Sequence, residues 1–252
     1  VDHGLPTIAT DGLPPASRFG LRELLIAVAI ALVGAPFGWL LHEVTSNGPF
    51  TKLDTSAAEW LHTRLVHDHT AVAVMKAVSF TGKPIFLTFV VGLPVLWLWR
   101  RGARKLVVFL LVVSLGGSAI DTAVKIAVGR PRPKLDQPIA TAFGKSFPSG
   151  HSMSSLICYG ALLLVFLPLI ARRWRVPAIV ATVVWVLAIG FSRLALGVHF
   201  LSDVLGGYFL GGAWLIGSVA AFEVWRVDRG RPRTRPLQSG VDPEEATRAA
   251  GA

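Results

Sequence analysis

Apolar residues run in long, nearly uninterrupted blocks along this chain, with the polar residues gathered between them. Six blocks stand out: Leu24–Leu41, Pro84–Trp99, Leu106–Val128, Met153–Ala171, Val176–Ser192 and Val204–Phe222. Each approaches the roughly 17–25 residues a helix needs to cross a hydrocarbon core about 30 Å thick, the second at the short end. The pattern predicts an all-α, polytopic membrane bundle of six transmembrane helices within residues 21–225. Residues 1–20 and 226–252 lack an apolar period and are rich in proline, glycine or charge, which predicts disordered tails, the second one basic. Between the first two blocks, Ala57, Trp60, Leu61 and Leu65 follow a helical spacing, as do Ala71, Val74, Met75 and Val78. Residues 42–83 are therefore expected to form one or two amphipathic helices on the membrane interface rather than another span.

Composition agrees with this class. Hydrophobic residues make up 52% of the chain and charged ones only 16%, where a soluble domain carries about a quarter. The net charge of +10 would suit nucleic acid if it formed one patch, so its placement decides. Arg18 and Arg22 precede the first block, Arg100, Arg101, Arg104 and Lys105 follow the second, Arg172, Arg173 and Arg175 follow the fourth, and Arg226 to Arg235 follow the sixth. These are alternate connections, and the positive-inside rule makes them cytoplasmic. Both termini are then expected inside a cell membrane, and the connections around residues 42–83, 129–152 and 193–203 outside, with no nucleic-acid partner. The first block is expected to be a retained anchor, because no small-x-small cleavage site stands cleanly at its end. Cys158 is the single cysteine, which excludes a disulfide framework and a cysteine metal site. His62, His67, Asp68 and His69 are read as solvated interface residues, since an i, i+2 histidine pair on a helix does not face one point.

Ionisable groups at membrane depth cost about 2.5–3.5 kcal/mol each on insertion scales, so the few that remain tend to be paired or functional. Here they collect at the predicted outer ends of the spans. In KIAVGRPRP, Lys125 to Pro133, the glycine and prolines end a helix and carry Arg132 beyond it on stiff chain; the plainer alternative pairs Lys125 with Asp121 and lets the arginines snorkel. In FPSGHS, Phe147 to Ser152, Ser149 suits an N-cap and Gly150 permits close approach to the backbone. The free N–H groups of the next turn form an anion site, although a capped helix with an interfacial histidine reads the same residues. In SRLALGVHFLSD, Ser192 to Asp203, the i, i+4 carboxylate of Asp203 can fix the tautomer of His199 and raise its basicity. Arg193 lies six positions before His199, so the two reach one anion only if the helix breaks between them, and Gly197 is the expected break.

Together, K-x6-R-P, P-S-G-H and S-R-x5-H-x3-D resemble the type 2 phosphatidic acid phosphatase (PAP2) family, whose wider superfamily includes bacterial lipid phosphatases, glucose-6-phosphatase and vanadium haloperoxidases. The resemblance covers about residues 70–225. It implies that Lys125, Arg132 and Arg193 clamp a phosphoryl group, with donors from Ser149 and the Gly150 N–H and no need for a metal ion or other cofactor. It further implies that His199, oriented by Asp203, attacks phosphorus to form a phosphohistidine, and that His151 moves the proton to the leaving group and then activates water. The expected substrate is a lipid phosphate met among membrane lipids: polyprenyl diphosphate, phosphatidate or phosphatidylglycerol phosphate. A haloperoxidase reading fits the same cradle but not six spans, and a non-catalytic lipid-phosphate binder or transporter is the alternative of another class. Asp121, Arg130 and Lys145 have no motif role and are expected to be secondary phosphate or structural partners.

Overall fold

The computed structural model describes residues 31, 34–135 and 139–251. Among these, the regular elements are helices: α1 Phe50–Leu65, α2 His69–Phe80, α3 Pro84–Arg100, α4 Arg104–Val128, α5 Gly150–Phe166, α6 Arg172–Ala195, α7 Leu201–Asp228, and the short α8 Pro236–Ser239 and α9 Pro243–Ala250. A 3-10 turn, Leu167–Leu169, extends α5, and residues 34–46 are also helical. Half of the expected first span, Leu24–Leu41, lies outside the described residues, and the tail 1–20 lies entirely outside them.

Helix α4, α5 with its 3-10 turn, α6 and α7 are each long and apolar enough to cross a bilayer. Helices α2 and α3 qualify as a fifth span when taken together, bent by 45° at the turn between them. The chain is a multi-pass membrane protein with four or five spans among the described residues, where the pattern predicts six over the whole chain. The difference at α2 has a local cause. Pro84 opens α3 at a position where its missing N–H costs nothing, so the chain turns there and α2 leaves the direction of α3 by 45°, which is why α2 and α3 reach the length of a span only as a bent pair. Helices α1 and α2 also pack on α6, and α1 on α7, which places them over the end of the bundle.

Helix α5 is the central post, packed against α4, α6 and α7. Leu106, Leu110, Val113, Met153, Ile157 and Ala161 are completely or almost completely buried between them. The contact with α7 is backbone on backbone: a Cβ at Gly207 would stand 2.6 Å from the Ser149 carbonyl oxygen, and one at Gly211 would stand 3.1 Å from that of Met153. Small residues at such a seam let helices approach closely where lipid offers no hydrophobic drive for association. The outward faces carry large exposed apolar side chains, among them Phe89, Leu93, Leu115, Ile126 and Val176, as lipid contact requires.

The basic end of the bundle departs from expectation. Residues 226–252 were predicted to be a disordered tail, yet α8 and α9 fold back onto the bundle and bring Val241, Ala246 and Ala249 into its core. The charges that suggested solvation are partners of one another. Arg226, 1% exposed, pairs with Asp242 and Glu223 at 3.3 Å each, and Asp242 caps α9 by accepting from the Glu245 N–H. Glu245 accepts from the Lys105 N–H at the start of α4, and burial raises its carboxyl above the usual carboxylate range. Removing one partner of a buried ion pair costs about 3–5 kcal/mol. Asp242→Asn is therefore expected to release the segment, read as faster limited proteolysis between residues 229 and 250 together with a lower melting temperature. Unchanged protease resistance would count against the latch.

Candidate active site

Four helix ends meet at the end of the bundle opposite the basic turns. Helix α4 stops at Val128, and the chain passes through Arg130 and Arg132 before re-entering as α5 at Gly150. Helix α6 ends at Ala195, Gly197 takes the left-handed conformation at φ 69°, and α7 begins at Leu201. That backbone conformation suits glycine, and it is the break expected from the spacing of Arg193 and His199. Both residues thereby reach the same site.

His199 precedes α7 and is 2% exposed. Its Nδ1 lies 3.3 Å from Asp203 Oδ2, and its Nε2 lies 3.1 Å from the Arg132 guanidinium. An arginine has donors and no acceptor, so Nε2 faces it with a lone pair and the ring proton sits on Nδ1, toward the carboxylate. The tautomer is thus set from both sides. Burial pushes the His199 pKa down from 6.5 to about 4; Asp203 opposes the shift, while Arg132 and Arg193 reinforce it. Arg132 itself is fastened by the carbonyls of Gly144, Phe143, Lys145 and Val198, at 2.8–3.2 Å. Burial lowers its pKa, yet it remains a cation. Asp203 is fully buried and also accepts from the Phe200 N–H at 2.9 Å.

Arg193, 7% exposed, donates to the Ser79 hydroxyl on α2, and its Nε is buried without a partner among the described residues. The Nε2 of His151 is likewise buried and unpartnered among the described residues. Arg193, His199, Lys83 and Arg132 lie within electrostatic reach of His151. Lys125 is paired with Asp121, as the plainer reading of that motif expects, but the pair stands against the start of α5. A Cβ on Gly150 would be 3.0 Å from Asp121 Oδ2 and 3.1 Å from Lys125 Nζ. Ser149 holds the N-cap position without capping through its side chain; its buried hydroxyl accepts from that of Ser152. The structure therefore gathers Lys125, Arg132, Ser149, Gly150, His151, Arg193, His199 and Asp203 at one end of the bundle, with two orphaned nitrogens among them.

Three contributors have no signal in the motifs. Arg130 forms ion pairs with Asp203 at 2.6 Å and with Asp54 of α1 at 2.8 Å, so it is a structural partner and not a free phosphate ligand. Asp54 is fully buried and also accepts from the Ser202 N–H at 2.8 Å. Ser79 orients Arg193. Asp54 and Ser79 look like ordinary polar positions of amphipathic helices, and only their partners, 76 to 148 residues away along the chain, give them a role. Among the described residues no three His, Cys, Asp or Glu side chains converge as metal ligands.

Two hollows adjoin the site. One, of about 460 Å³, is lined by Lys76, Ser79, Lys83, Arg193 and the strand of loop at residues 139–141. The other is an apolar cleft of about 230 Å³ between α3, α4 and α5, bounded by Leu87, Val91, Val95, Leu111 and Leu115. Its small polar residues Ser118 and Ser154 lie one turn from Asp121 and His151.

The PAP2 superfamily model matches residues 105–227. Over 95 residues the chain is 39% identical to phosphatidylglycerophosphatase B of Bacillus subtilis, covering 36% of this chain and 46% of that one. It is 27% identical over 158 residues to lipid A 4'-phosphatase of Bacteroides thetaiotaomicron, covering 56% and 67%, and 31% identical over 113 residues to lipid A 1-phosphatase of Rhizobium etli, covering 41% and 45%. The match thus spans less than half of the first of these relatives. The crystal structure of a transmembrane PAP2 type phosphatidylglycerolphosphate phosphatase from Bacillus subtilis superposes with a TM-score of 0.65, over 82% of this chain and 99% of that one, at 24% identity. The two share a fold. All three motifs that converge at the helix ends fall inside residues 105–227, the segment of this chain that matches the PAP2 superfamily model.

Proposed function

We propose that the chain is a phosphatase that hydrolyses a lipid phosphate at the membrane edge through a phosphohistidine on His199. The observation that carries this reading is the His199 ring, held with its Nε2 lone pair beside Arg132 and its Nδ1–H donated to Asp203. A neutral imidazole with a fixed lone pair, set next to a cation that attracts phosphoryl oxygens, is an activated nucleophile. The names of the relatives, which are phosphatases of phosphatidylglycerophosphate and lipid A, favour a lipid substrate. The apolar cleft beside α3 would receive its tail.

Lys125, Arg132 and Arg193 take the phosphoryl oxygens, and the orphaned Arg193 Nε gains its missing acceptor. The Gly150 N–H, at the opening turn of α5, adds a donor. His199 Nε2 attacks phosphorus in line as the bond to the leaving oxygen breaks, and Asp203 holds the imidazolium charge that develops. His151 gives its proton to the leaving alcohol, then takes one from the water that cleaves the P–N bond and releases inorganic phosphate. The cations supply the electrostatic stabilisation of the transition state, so the reaction proceeds without a metal ion. The full topology in this reading is six spans, with the termini in the cytoplasm and the site on the outer face of the cell membrane. That placement suits turnover of a polyprenyl diphosphate carrier as well as general lipid phosphates.

His199→Ala is expected to reduce phosphate release from lipid phosphates in detergent by about 10⁴-fold or more while binding survives. His151→Ala should cost about 10²–10⁴-fold. Wild-type activity is expected to persist in EDTA and to be abolished by vanadate. A wild-type protein that binds lipid phosphates and releases phosphate from none of them would establish the binder reading instead. The pH profile gives an independent check. Protonation removes the His199 lone pair, so activity falls as pH drops through its pKa. With that pKa at about 4 in place of 6.5, the acid limb of kcat/KM is expected well below pH 6. A limb near 6.5 would mean that His199 is not the buried nucleophile.

A further inference from the structure

We propose that the hollow of about 460 Å³ beside Arg193 is a subsite for a second phosphate, one carried by the substrate's leaving group. The inference rests on the phosphatase reading and names the substrates that reading favours. Arg193 is the common wall of cradle and hollow, and its buried Nε has no partner among the described residues. Lys83 places the hollow on the side of His151, because a Cβ on the adjacent Gly82 would be 3.2 Å from His151 Cδ2. That is the side from which the leaving oxygen departs. Lys76, Lys83 and Arg193 line the hollow, and among the described residues no carboxylate stands in its walls and neither lysine forms an ion pair. Cations facing one cavity repel each other unless an anion joins them.

The chemistry of departure explains the arrangement. When His199 Nε2 forms its bond to phosphorus, the bond to the leaving oxygen breaks and both its electrons stay on that oxygen. A diacylglycerol leaving group needs the His151 proton at that moment. A lipid phosphate leaving from a diphosphate departs as an anion, and the two lysines offset its charge with no proton transfer. A phosphodiester within the leaving group, as in phosphatidylglycerol phosphate, brings the same anion to the same cavity. Phosphatidate has neither.

The test compares kcat/KM of the full-length protein and its Lys76→Ala/Lys83→Ala variant in detergent, with farnesyl diphosphate, phosphatidylglycerol phosphate and phosphatidate. Both lysines are exposed, so the fold does not depend on them. Loss is expected to be about 10–100-fold greater for substrates with a second phosphate than for phosphatidate. Selective loss for one of the two identifies the source as a diphosphate or a phosphodiester. Equal loss for all three, or no loss, overturns the subsite. Wild-type protein that hydrolyses none of the three refutes the phosphatase reading, which is seen before any variant is made.

A separate observation carries a second inference: Asp54 is a positioning residue that acts on His199 through Arg130. Arg130 is shared between two buried carboxylates, Asp54 and Asp203, and its ring contact with Phe200, 4.3 Å to the centroid, keeps it in place. Because Asp54 takes part of the guanidinium charge, Asp203 keeps more of its own for His199. The groups that act on His199 are Asp203 of α7, Arg132 of the loop after α4, Arg193 of α6 and His151 of α5; Asp54 adds α1 to this set indirectly. With Asp54→Asn, Arg130 falls to Asp203 alone, and the acid limb of kcat/KM is expected to move to lower pH as kcat drops about tenfold with KM little changed. The position of the limb is independent of how much protein is folded. An unmoved limb, with loss of rate matching only the loss of folded protein, would reduce Asp54 to a structural contact.

Discussion

Asp203 is fully buried at the start of α7, and its two oxygens take hydrogen bonds from the His199 ring, the Phe200 N–H and the Arg130 guanidinium. Its carbonyl accepts from the Ser149 N–H, which ties it to the opening of α5. A carboxylate withdrawn from water is costly unless its lone pairs are filled by good donors. Meeting that requirement organises the surroundings. It fixes the imidazole, draws Arg130 in from the loop after α4, and through Arg130 calls for Asp54 from α1. Three segments far apart in the chain are held at the helix ends because one anion needs all of them.

The buried arginines divide by the acceptors that hold them. Arg226 is locked by the carboxylates of Asp242 and Glu223, and Arg130 by those of Asp54 and Asp203. Arg132 is held by backbone carbonyls and Arg193 by a serine, all neutral acceptors. Neutral acceptors fix the position of a guanidinium and leave its charge unspent. That is the electrostatic difference between a cation neutralised by its support and one whose charge is left to act on its surroundings.

The motif residues were legible from sequence because each announces itself locally. Pro131 and Pro133 stop a helix, Gly197 permits a turn that Arg193 and His199 require, and an i, i+4 spacing joins His199 to Asp203. The spans α4 to α7 were legible because lipid demands long apolar runs. What was hidden depends on partners distant in sequence. Asp54 and Ser79 match solvated positions of amphipathic helices, and nothing near them points to Arg130 or Arg193. The tail misled for the same reason: Arg226, Asp242 and Glu245 read as solvated charge until their mutual pairing is seen. Ser149 shows the opposite error, since a residue well suited to cap a helix uses its hydroxyl to meet Ser152 instead.

At the α5–α7 seam a Cβ at Gly207 would collide with the Ser149 carbonyl, and backbone cannot turn aside as a flexible side chain does. Ser149, His151 and Asp203 stand just beyond it, so this wall of the site behaves as one stiff piece. The facing wall is of another kind: α2 and α3 meet at a 45° bend and present lysines on long flexible stems. Stiffness and compliance are thus allotted to different helices. The jointed wall can adjust its outline while Ser149, His151 and Asp203 keep their mutual distances, so a change of shape on one side of the site need not disturb alignment on the other.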